Sequence, residues 1–421
     1  MPYVFVYLPG ETTAVPAGRL TLIEEGIALL GSRFAYGRRY PARRDPRAIA
    51  VDPLSLPLAQ TEGDQVPVNG LALFGALRDA TPDDWGRRVI ENRLGVPANG
   101  LPESRYLTLA GSNRVGALDV RAQLDSEPAE GDIPHALDLQ YLVDASERVE
   151  QGLSVPRHLL HYFEGAPSLG GARPKAPIAH EGREWIAKFP SIRDRFNVPA
   201  VERATLELGR RVGLTVPPTA LQSLADGRQI MLIERFDRLS APGGVTRRHV
   251  VSALTMLGMS EQQSPDASYA QIVQAIEGWG AQGEVAAQRD ELFARMIFNI
   301  LVTNDDDHLR NHAFVEDAGA WNLSPLYDVV PKPQVGTERN LHLGVGPQGR
   351  RATLDNALRG CGRFGLFPPR AATIIEHVVA VVRTWREVFD ELGVSQEDSD
   401  AVASAFRRAD DIGMRDVRRH L

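Results

Sequence analysis

The residues best suited to chemistry lie in one polar stretch, residues 304–314. It contains three adjacent carboxylates, Asp305 to Asp307, together with His308, Asn311 and His312. Adjacent carboxylates repel one another unless a cation, a proton or a basic partner offsets their charge. Strongly coupled charges of this kind tend to gather at functional sites. We therefore interpret this stretch as a functional loop rather than as a solvated acidic turn.

The spacing within this loop favours phosphoryl transfer. Asp306 precedes Asn311 by five positions, which is the separation between the base and the metal-binding asparagine in the catalytic loop of protein kinases. A predicted hairpin over residues 313–323 would return Asp328 to the same place as a second metal ligand. Magnesium prefers oxygen ligands and keeps several waters, so one carboxylate, one amide oxygen and the nucleotide phosphates suffice.

His308 and His312 raise an alternative, a transition-metal site like those of metal-dependent hydrolases. Two histidines without a patterned third ligand are weak evidence for such a site. The kinase-like spacing is more specific, and it leaves Asp305 and Asp307 as residues that support the base Asp306.

A helix predicted over residues 284–303 must position this loop. Its apolar residues recur at the spacing of one buried helical face; they are Leu292, Phe293, Met296, Ile297, Ile300 and Leu301. A buried helix of this kind would anchor the polar loop that follows it.

A second group of residues could bind a nucleotide. The glycine-rich residues 168–175 precede two predicted strands, residues 176–179 and 184–189, and Lys188 lies near the end of the second strand. Glycines let the backbone approach phosphates closely, although the loop contains neither a Walker motif nor a dinucleotide-binding motif. The order of loop, strand and strand lysine is that of the nucleotide-binding lobe of protein kinases.

Glu202, on the helix predicted after these strands, would orient Lys188 towards the α- and β-phosphates, as a helix glutamate does in kinases. Two alternatives stay open. Lys188 could be an ordinary surface lysine and Glu202 a solvated helix residue, and Glu207 competes for the same role.

Glu234, Arg235 and Phe236 lie where the last predicted strand passes into the helical half, which is the position of an adenine-binding hinge. The alternative is a strand end with an ion pair. A further glycine pattern at residues 344–349 is typical of a turn rather than of a dinucleotide fold. It contains Pro347, and no acidic residue follows at the required spacing.

Local signals mark the ends of several elements. Thr81 is predicted to cap a helix whose first residue is Pro82, and Thr353 is a second predicted cap. Gly213 predicts a helix end, and the pair Asp226-Gly227 predicts a hairpin turn. Further helices are predicted over residues 369–392 and 397–408.

Composition limits the classes of protein that fit. With 421 residues and no apolar run long enough to cross a bilayer, the sequence predicts a soluble protein of two or three packed units. The first residues lack the pattern of a signal peptide, so we expect a cytoplasmic protein. A net charge of −7 argues against direct binding of nucleic acid. The single cysteine, Cys361, excludes an intramolecular disulfide and a multi-cysteine zinc site.

We predict an α+β fold in which a β-rich lobe is followed by a mostly helical lobe. Residues 1–124 are expected to form an N-terminal β subdomain, and the acidic residues 125–132 a linker. Residues 133–236 would then form the nucleotide-binding lobe with its hinge, and residues 237–421 the helical lobe with the catalytic loop.

Taken together, these residues resemble the HipA family of toxin kinases from bacterial toxin–antitoxin modules. The resemblance spans nearly the whole chain and rests on five stretches, residues 168–175, 185–190, 232–238, 304–314 and 323–331. It implies a bilobal, protein-kinase-like α+β fold with an extra N-terminal β subdomain.

The resemblance implies a serine/threonine protein kinase that uses ATP and Mg²⁺. By position, Asp306 is the base, Lys188 contacts the phosphates with Glu202 as its partner, and Asn311 and Asp328 bind the metal. The residues implied to contact the nucleotide and its metal are Ser168, Gly170, Gly171, Ala172, Lys175, Lys188, Glu234, Arg235, Phe236, His308, Asn311 and Asp328. Ser168 also falls where the family has a serine whose autophosphorylation ejects the loop and stops activity.

The resemblance also implies partners. The substrate in characterised members is an aminoacyl-tRNA synthetase, so that translation and growth stop, and a HipB-like helix-turn-helix antitoxin binds the kinase and carries it to DNA. One alternative is a catalytically weak kinase-fold protein that acts mainly as a binding partner or corepressor of a helix-turn-helix protein. Another is a kinase of a small metabolite, although no feature of the sequence indicates a dedicated pocket for one.

Overall fold

The computed structural model describes residues 1–44, 46–129, 133–134, 138–156 and 171–421. They belong to two compact units. The first unit contains Met1–Arg193 and Gln222–Val251, and the second contains Asp194–Leu221 and Ser252–Leu421. Within the described residues, no helix is long and apolar enough to cross a membrane.

The first unit begins with a four-stranded antiparallel sheet. Its strands are β1 (Tyr3–Tyr7), β2 (Ala14–Glu25), β3 (Ala28–Tyr36) and β4 (Leu118–Arg121), in the order β3-β2-β1-β4. Val4 lies opposite Gly18 on β2 and opposite Val120 on β4. Only glycine fits at position 18, because a Cβ there would lie 2.4 Å from the ring of Phe34.

The helices described in the first unit are Gly75–Asp79, Asp84–Leu94, Glu103–Leu109 and Leu139–Glu150. The predicted cap at Thr81 is wrong, because the second helix begins at Asp84 and Asp83 caps it. The Oδ1 atom of Asp83 accepts a hydrogen bond from the Gly86 amide at 2.7 Å. The Thr81 hydroxyl instead donates to the Leu77 carbonyl at 2.9 Å, at the end of the preceding helix.

A second antiparallel sheet in the first unit carries the predicted lysine. It contains β5 (Lys175–His180), β6 (Arg183–Lys188) and β8 (Gln229–Glu234). Strand β6 lies between the other two, with Lys188 opposite Lys175 on β5 and opposite Met231 on β8. Strand β7, Thr219–Ser223, crosses the boundary between the units, and Gly227, with a φ of 89°, lies in the predicted turn that follows it.

Three short strands, β9 (Arg238–Ala241), β10 (Gly244–Arg247) and β11 (Val250–Ser252), follow β8. Strands β9 and β10 pair as an antiparallel hairpin, with Arg238 opposite Arg247.

A buried charged network binds the end of β8 to the loop before β4. Arg235 donates to Asp237 at 2.8 Å and to the Asn113 side-chain oxygen at 2.6 Å. Asp237 also accepts from the Gly116 amide and from Arg238, each at 2.8 Å. Burial alone would raise the pKa of Asp237, but the two arginines more than offset it and hold this pKa below its usual range. The network therefore fixes the strand end at which the hinge is predicted.

The second unit is mostly helical. Its described helices are Val198–Val212, Ala253–Met256, Tyr269–Trp279, Val285–Val302, Leu354–Gly360, Pro368–Val382, Trp385–Glu391, Gln396–Val402 and Met414–Arg418. Two predicted signals are confirmed. Gly213, with a φ of 94°, ends the first of these helices, and Thr353 caps Leu354–Gly360 by accepting a hydrogen bond from the Asn356 amide.

The helix predicted over residues 369–392 is two helices, because packing overrides the helical pattern between them. The second begins at Trp385, whose ring stacks on Phe406 with centroids 4.0 Å apart. Phe389 meets both rings edge-on. The helix predicted over residues 397–408 likewise ends early, at Val402, and Phe406 packs against the core cluster that contains Phe389 and Val201.

Two elements flank the polar loop of residues 304–312. The helix Val285–Val302 precedes it, and the predicted buried face of this helix is confirmed, since the six apolar residues predicted to form that face are all buried. The hairpin of β12 (Ala313–Asp317) and β13 (Ala320–Leu323) follows the loop. The hairpin is also confirmed, with Phe314 opposite Leu323 and a turn at Ala318 and Gly319.

Candidate active site

The polar loop starts at a strained helix end. Thr303 has a φ of 51° and a ψ of 50°, a left-handed conformation that β-branched residues rarely adopt. Its Oγ1 atom donates to the Ala405 carbonyl at 2.5 Å and accepts from Arg339 Nη1 at 2.6 Å. These bonds offset the strain and set the direction in which the chain leaves the helix. Strain of this kind is most often retained at functional sites.

The three adjacent aspartates have different surroundings. Both carboxylate oxygens of Asp305 have partners within the protein. One lies 2.9 Å from Lys332 Nζ, and the other accepts a hydrogen bond from the Gln334 side chain at 2.6 Å. Asp307 is buried. The side chain of Asp306 is 72% exposed. Asp306 is therefore the carboxylate of this group that an incoming substrate can reach.

Asn311 is joined directly to the residue that carries this exposed carboxylate. Its side-chain Nδ2 donates to the Asp306 carbonyl oxygen at 2.7 Å. The bond fixes the orientation of the amide, so that Oδ1 is the atom able to bind a cation. The five-residue separation of Asp306 and Asn311 thus corresponds to a backbone turn that this hydrogen bond closes.

Asp328 follows the β12–β13 hairpin in a left-handed conformation, with a φ of 58°. Aspartate tolerates this region better than most residues. The preceding residue, Tyr327, donates its hydroxyl to the Arg310 carbonyl at 2.8 Å. This bond joins the residue before Asp328 to the residue before Asn311, so the two candidate metal ligands lie on segments that are bound to each other.

These residues fit Mg²⁺ better than a transition metal. An aspartate oxygen and an amide oxygen are ligands that Mg²⁺ accepts, with waters and phosphates completing its coordination. Among the residues described, no group of three or more histidines, cysteines and acidic residues is placed to hold a metal ion.

The two histidines of the loop are not placed alike. His308 Nε2 lies 3.9 Å from Asp306 Oδ1, and its ring meets that of His342 edge-on. His312 is buried against Tyr269, and burial lowers the pKa of His312 to about 3. His312 is therefore a neutral core residue, while His308 remains beside the candidate base.

In the first unit, β6 presents Lys188, which is half-buried. Lys175, opposite it, is buried, with Nζ 3.3 Å from Asp83 Oδ2. A Cβ on Gly171 would lie 2.7 Å from the same Nζ atom, and Gly171 has a φ of 95°. The charge of Lys175 is thus already paired, which favours a structural role for it over the predicted contact with nucleotide.

At the predicted hinge, the charged side chains form ion pairs. Glu234 accepts from Arg183 at 2.9 Å, and Arg235 is buried in the network with Asp237. The structure thus has the features of the alternative interpretation, a strand end with ion pairs. A contact between this segment and adenine stays a prediction, and for Arg235 it is restricted to backbone atoms.

The two candidate helix glutamates differ in burial and in their ion pairs. Glu202 is buried, whereas Glu207 is half-buried and pairs with Arg210 and Arg211 on its own helix. A buried carboxylate requires a specific partner, and that Lys188 is the partner of Glu202 stays a prediction. Lys188 belongs to the first unit and Glu202 to the second.

Two predicted site residues, Ser168 and Gly170, lie outside the described residues. Gly171 and Ala172 are described and form a bend before β5. The roles predicted for all four residues therefore remain predictions.

Comparison with known protein families identifies the family of this chain. Residues 167–385, slightly more than half of the chain, match the model of the HipA-like C-terminal domain. The chain belongs to the HipA family. Two putative kinases of Sinorhizobium fredii are each 27% identical to it, over 64% and 59% of this chain and 67% and 60% of their own lengths. The serine/threonine-protein kinase toxin HipA of Shewanella oneidensis is 26% identical over 44% of this chain, and the match spans 47% of the relative's length.

A solved structure shows the fold of this HipA-family chain. HipA in the Shewanella oneidensis complex of HipA, HipB and operator DNA has a TM-score of 0.69 to it. The match covers 100% of this chain and 97% of that one, at 16% sequence identity. The predicted α+β, protein-kinase-like fold is therefore confirmed, and kinases are named among the chain's HipA-family relatives.

Sequence reasoning missed the partners of Asp307 in this HipA-family loop. Both of its oxygens are bound, one by the Tyr269 hydroxyl at 2.7 Å and the other by the His342 amide at 2.6 Å. Burial raises the pKa of Asp307 to about 7, although these hydrogen bonds oppose the shift. No local pattern links residues 269, 307 and 342, so only the folded chain reveals the cluster.

Asp307→Asn is expected to change how stability depends on pH. Because the folded-state pKa of about 7 lies above the ordinary value of 3.8, the wild-type contribution is fully present below the ordinary value and is lost as pH rises through the folded value. At about 1.4 kcal/mol per pKa unit, the loss is on the order of 4 kcal/mol. Asparagine does not titrate, so the free energy of unfolding of the variant should rise relative to wild type across this interval.

Urea denaturation at a series of pH values measures this difference. Comparing the two proteins at each pH cancels the titration of all other groups, including His312. A constant difference between about pH 4 and about pH 8 would show that Asp307 keeps an ordinary pKa in the folded chain.

Proposed function

We propose that this chain is an ATP- and Mg²⁺-dependent protein serine/threonine kinase and the toxin of a toxin–antitoxin module. The observation that carries the proposal is the exposed carboxylate of Asp306, whose own carbonyl is bound by Asn311. Three further observations support it: the kinase spacing of Asp306 and Asn311, the hydrogen bond from the Tyr327 hydroxyl to the Arg310 carbonyl, and membership of the HipA family.

The proposed reaction assigns one task to each residue. The hydroxyl oxygen of the substrate bonds to the γ-phosphorus while the bond to ADP breaks, and the hydroxyl proton passes to Asp306. Asn311 and Asp328 would hold Mg²⁺, which neutralises the charge of the phosphates when bound. Lys188, oriented by Glu202, would contact the α- and β-phosphates.

The remaining nucleotide contacts come from the resemblance to the family. Gly170, Gly171 and Ala172 would cover the phosphates, residues 234–236 would meet adenine, and His308 would lie beside the bound nucleotide. Autophosphorylation of Ser168 would switch the kinase off.

The proposed partners also follow from the family. HipA of Shewanella oneidensis is found with HipB and operator DNA, so we assign this chain a HipB-like helix-turn-helix antitoxin. DNA would be contacted only indirectly, through that partner, in keeping with the net charge of −7. An aminoacyl-tRNA synthetase is the proposed protein substrate, whose phosphorylation would arrest translation and growth.

Transfer of labelled phosphate tests the proposal. The purified chain is incubated with γ-labelled ATP, Mg²⁺ and purified aminoacyl-tRNA synthetases, with and without EDTA. We expect labelled phosphate on a synthetase. This label should be lost with EDTA and with Asp328→Asn, because each removes the metal from the phosphates. Asp317→Asn, which changes an exposed aspartate of the neighbouring hairpin, should transfer label normally.

The competing function is that of a kinase-fold binding partner or corepressor for a helix-turn-helix protein. It would be favoured by nucleotide binding without any transfer of label to protein, combined with tight binding of the antitoxin. Retained transfer by Asp328→Asn would instead contradict the assignment of this metal ligand.

A further inference from the structure

A buried chain of hydrogen bonds lies directly behind the candidate base. The Tyr269 hydroxyl donates to Asp307 Oδ2 at 2.7 Å and accepts from Asn299 Nδ2 at 2.9 Å. Asn304 Nδ2 in turn donates to Asn299 Oδ1 at 3.1 Å. All four side chains are buried. Asp307 is the residue next to Asp306, so this series of hydrogen bonds ends at the neighbour of the candidate base.

The other oxygen of Asp307 is bound from a different part of the second unit. The His342 amide donates to Asp307 Oδ1 at 2.6 Å, and the nearby Gly344 carbonyl accepts from the Tyr269 amide at 3.1 Å. Tyr269 begins the helix Tyr269–Trp279, whose start is fixed by a capping box between Ser268 and Gln271. Asp307 is thus held by two segments, and Tyr269 links it to a third, the long helix that carries Asn299.

We propose that Tyr269 is a positioning residue for phosphoryl transfer: its hydroxyl, held by Asn299, fixes Asp307 and thereby keeps the neighbouring carboxylate of Asp306 in one orientation. The inference rests on the proposed kinase function for its effect on rate, but its effect on the loop does not depend on that function.

The physical reason lies in the exposure of Asp306. An exposed carboxylate makes few contacts of its own, so its orientation is set by the backbone that carries it. Misplacement of a reacting group by about 1 Å can cost about a hundredfold in rate. A residue that fixes the adjacent backbone without touching substrate would therefore act on the rate of the chemical step rather than on nucleotide affinity.

Tyr269→Phe removes the hydroxyl and keeps the ring that packs against His312. The matched control is Tyr40→Phe, because the buried Tyr40 hydroxyl donates to the Ile49 carbonyl at 2.8 Å within the first unit. We expect Tyr269→Phe to lower kcat by about tenfold to a hundredfold with the KM for ATP unchanged. Amide hydrogen exchange without nucleotide should become faster across residues 304–312, and the control should change neither quantity.

Each combination of results decides the inference. Faster exchange together with lower kcat supports it, whereas wild-type exchange, wild-type kcat or a change confined to KM overturns it. If wild type transfers no phosphate, the proposed function fails, and exchange alone decides whether Tyr269 orders the loop. If Tyr269→Phe unfolds, Asn299→Ala, which removes the donor to the same hydroxyl, takes its place with the same outcomes.

Discussion

Asp306→Asn is expected to lower the rate of phosphoryl transfer by about 10²- to 10⁴-fold, the range in which a general base contributes. An asparagine amide cannot accept the proton of the substrate hydroxyl. The Asp306 side chain is exposed, and its carbonyl rather than its carboxylate binds Asn311. The substitution should therefore leave both the fold and the affinity for Mg-ATP close to wild type. Single-turnover transfer of labelled phosphate measures the rate, and calorimetric titration measures the affinity.

The neighbouring aspartate provides a matched control. Asp305→Asn removes the same charge one residue away, from a carboxylate already bound to Lys332 and Gln334. We expect it to reduce the rate far less than Asp306→Asn. Equal losses from the two variants would mean that the overall charge of the loop matters rather than a base at position 306.

Asp237→Asn is expected to destabilise the first unit by about 3–5 kcal/mol, as measured when one partner of a buried ion pair is removed. The carboxylate binds Arg235 and Arg238, both buried. Neutralising it leaves two adjacent guanidinium groups with less compensation in a region from which water is excluded. Hydrogen exchange of peptides from β1 and β8 in increasing urea reports the stability of the first unit by itself.

An exposed aspartate tests whether burial is the cause. Asp226 pairs with Arg228 at the surface of the same unit, and surface pairs of this kind add little to stability. Asp226→Asn should therefore leave the urea midpoint of these peptides unchanged. A similarly small effect of Asp237→Asn would show that the buried network is not what joins β8 to the loop before β4.

Local signals in the sequence were enough to predict the elements around the loop. The apolar spacing of the helix Val285–Val302, the turn of the hairpin after it and the helix end at Gly213 each depend on residues close together in the chain. Thr81 fails for a local reason too, since Asp83 competes for the same cap and its carboxylate is bound at 2.7 Å. The break between the helices Pro368–Val382 and Trp385–Glu391 could not be predicted, because it depends on the contact between the rings of Trp385 and Phe406.

The candidate site shows the same division. Spacing alone singled out Asp306 and Asn311, because their relation is contained in one turn of backbone. The cluster around Asp307 depends on contacts to Tyr269 and His342, which no periodicity or motif connects. The charged network at Arg235 was likewise unforeseen beyond one ion pair, since its partner Asn113 comes from a remote segment.

Quantitative phosphoproteomics of cells expressing wild type or Asp306→Asn at matched levels tests the central claim most directly. If the chain is a protein kinase with Asp306 as its base, a small set of serine or threonine sites will be phosphorylated with wild type and absent with the variant. An aminoacyl-tRNA synthetase is expected among these proteins. Identical phosphoproteomes, or the same new sites with both proteins, would contradict the account.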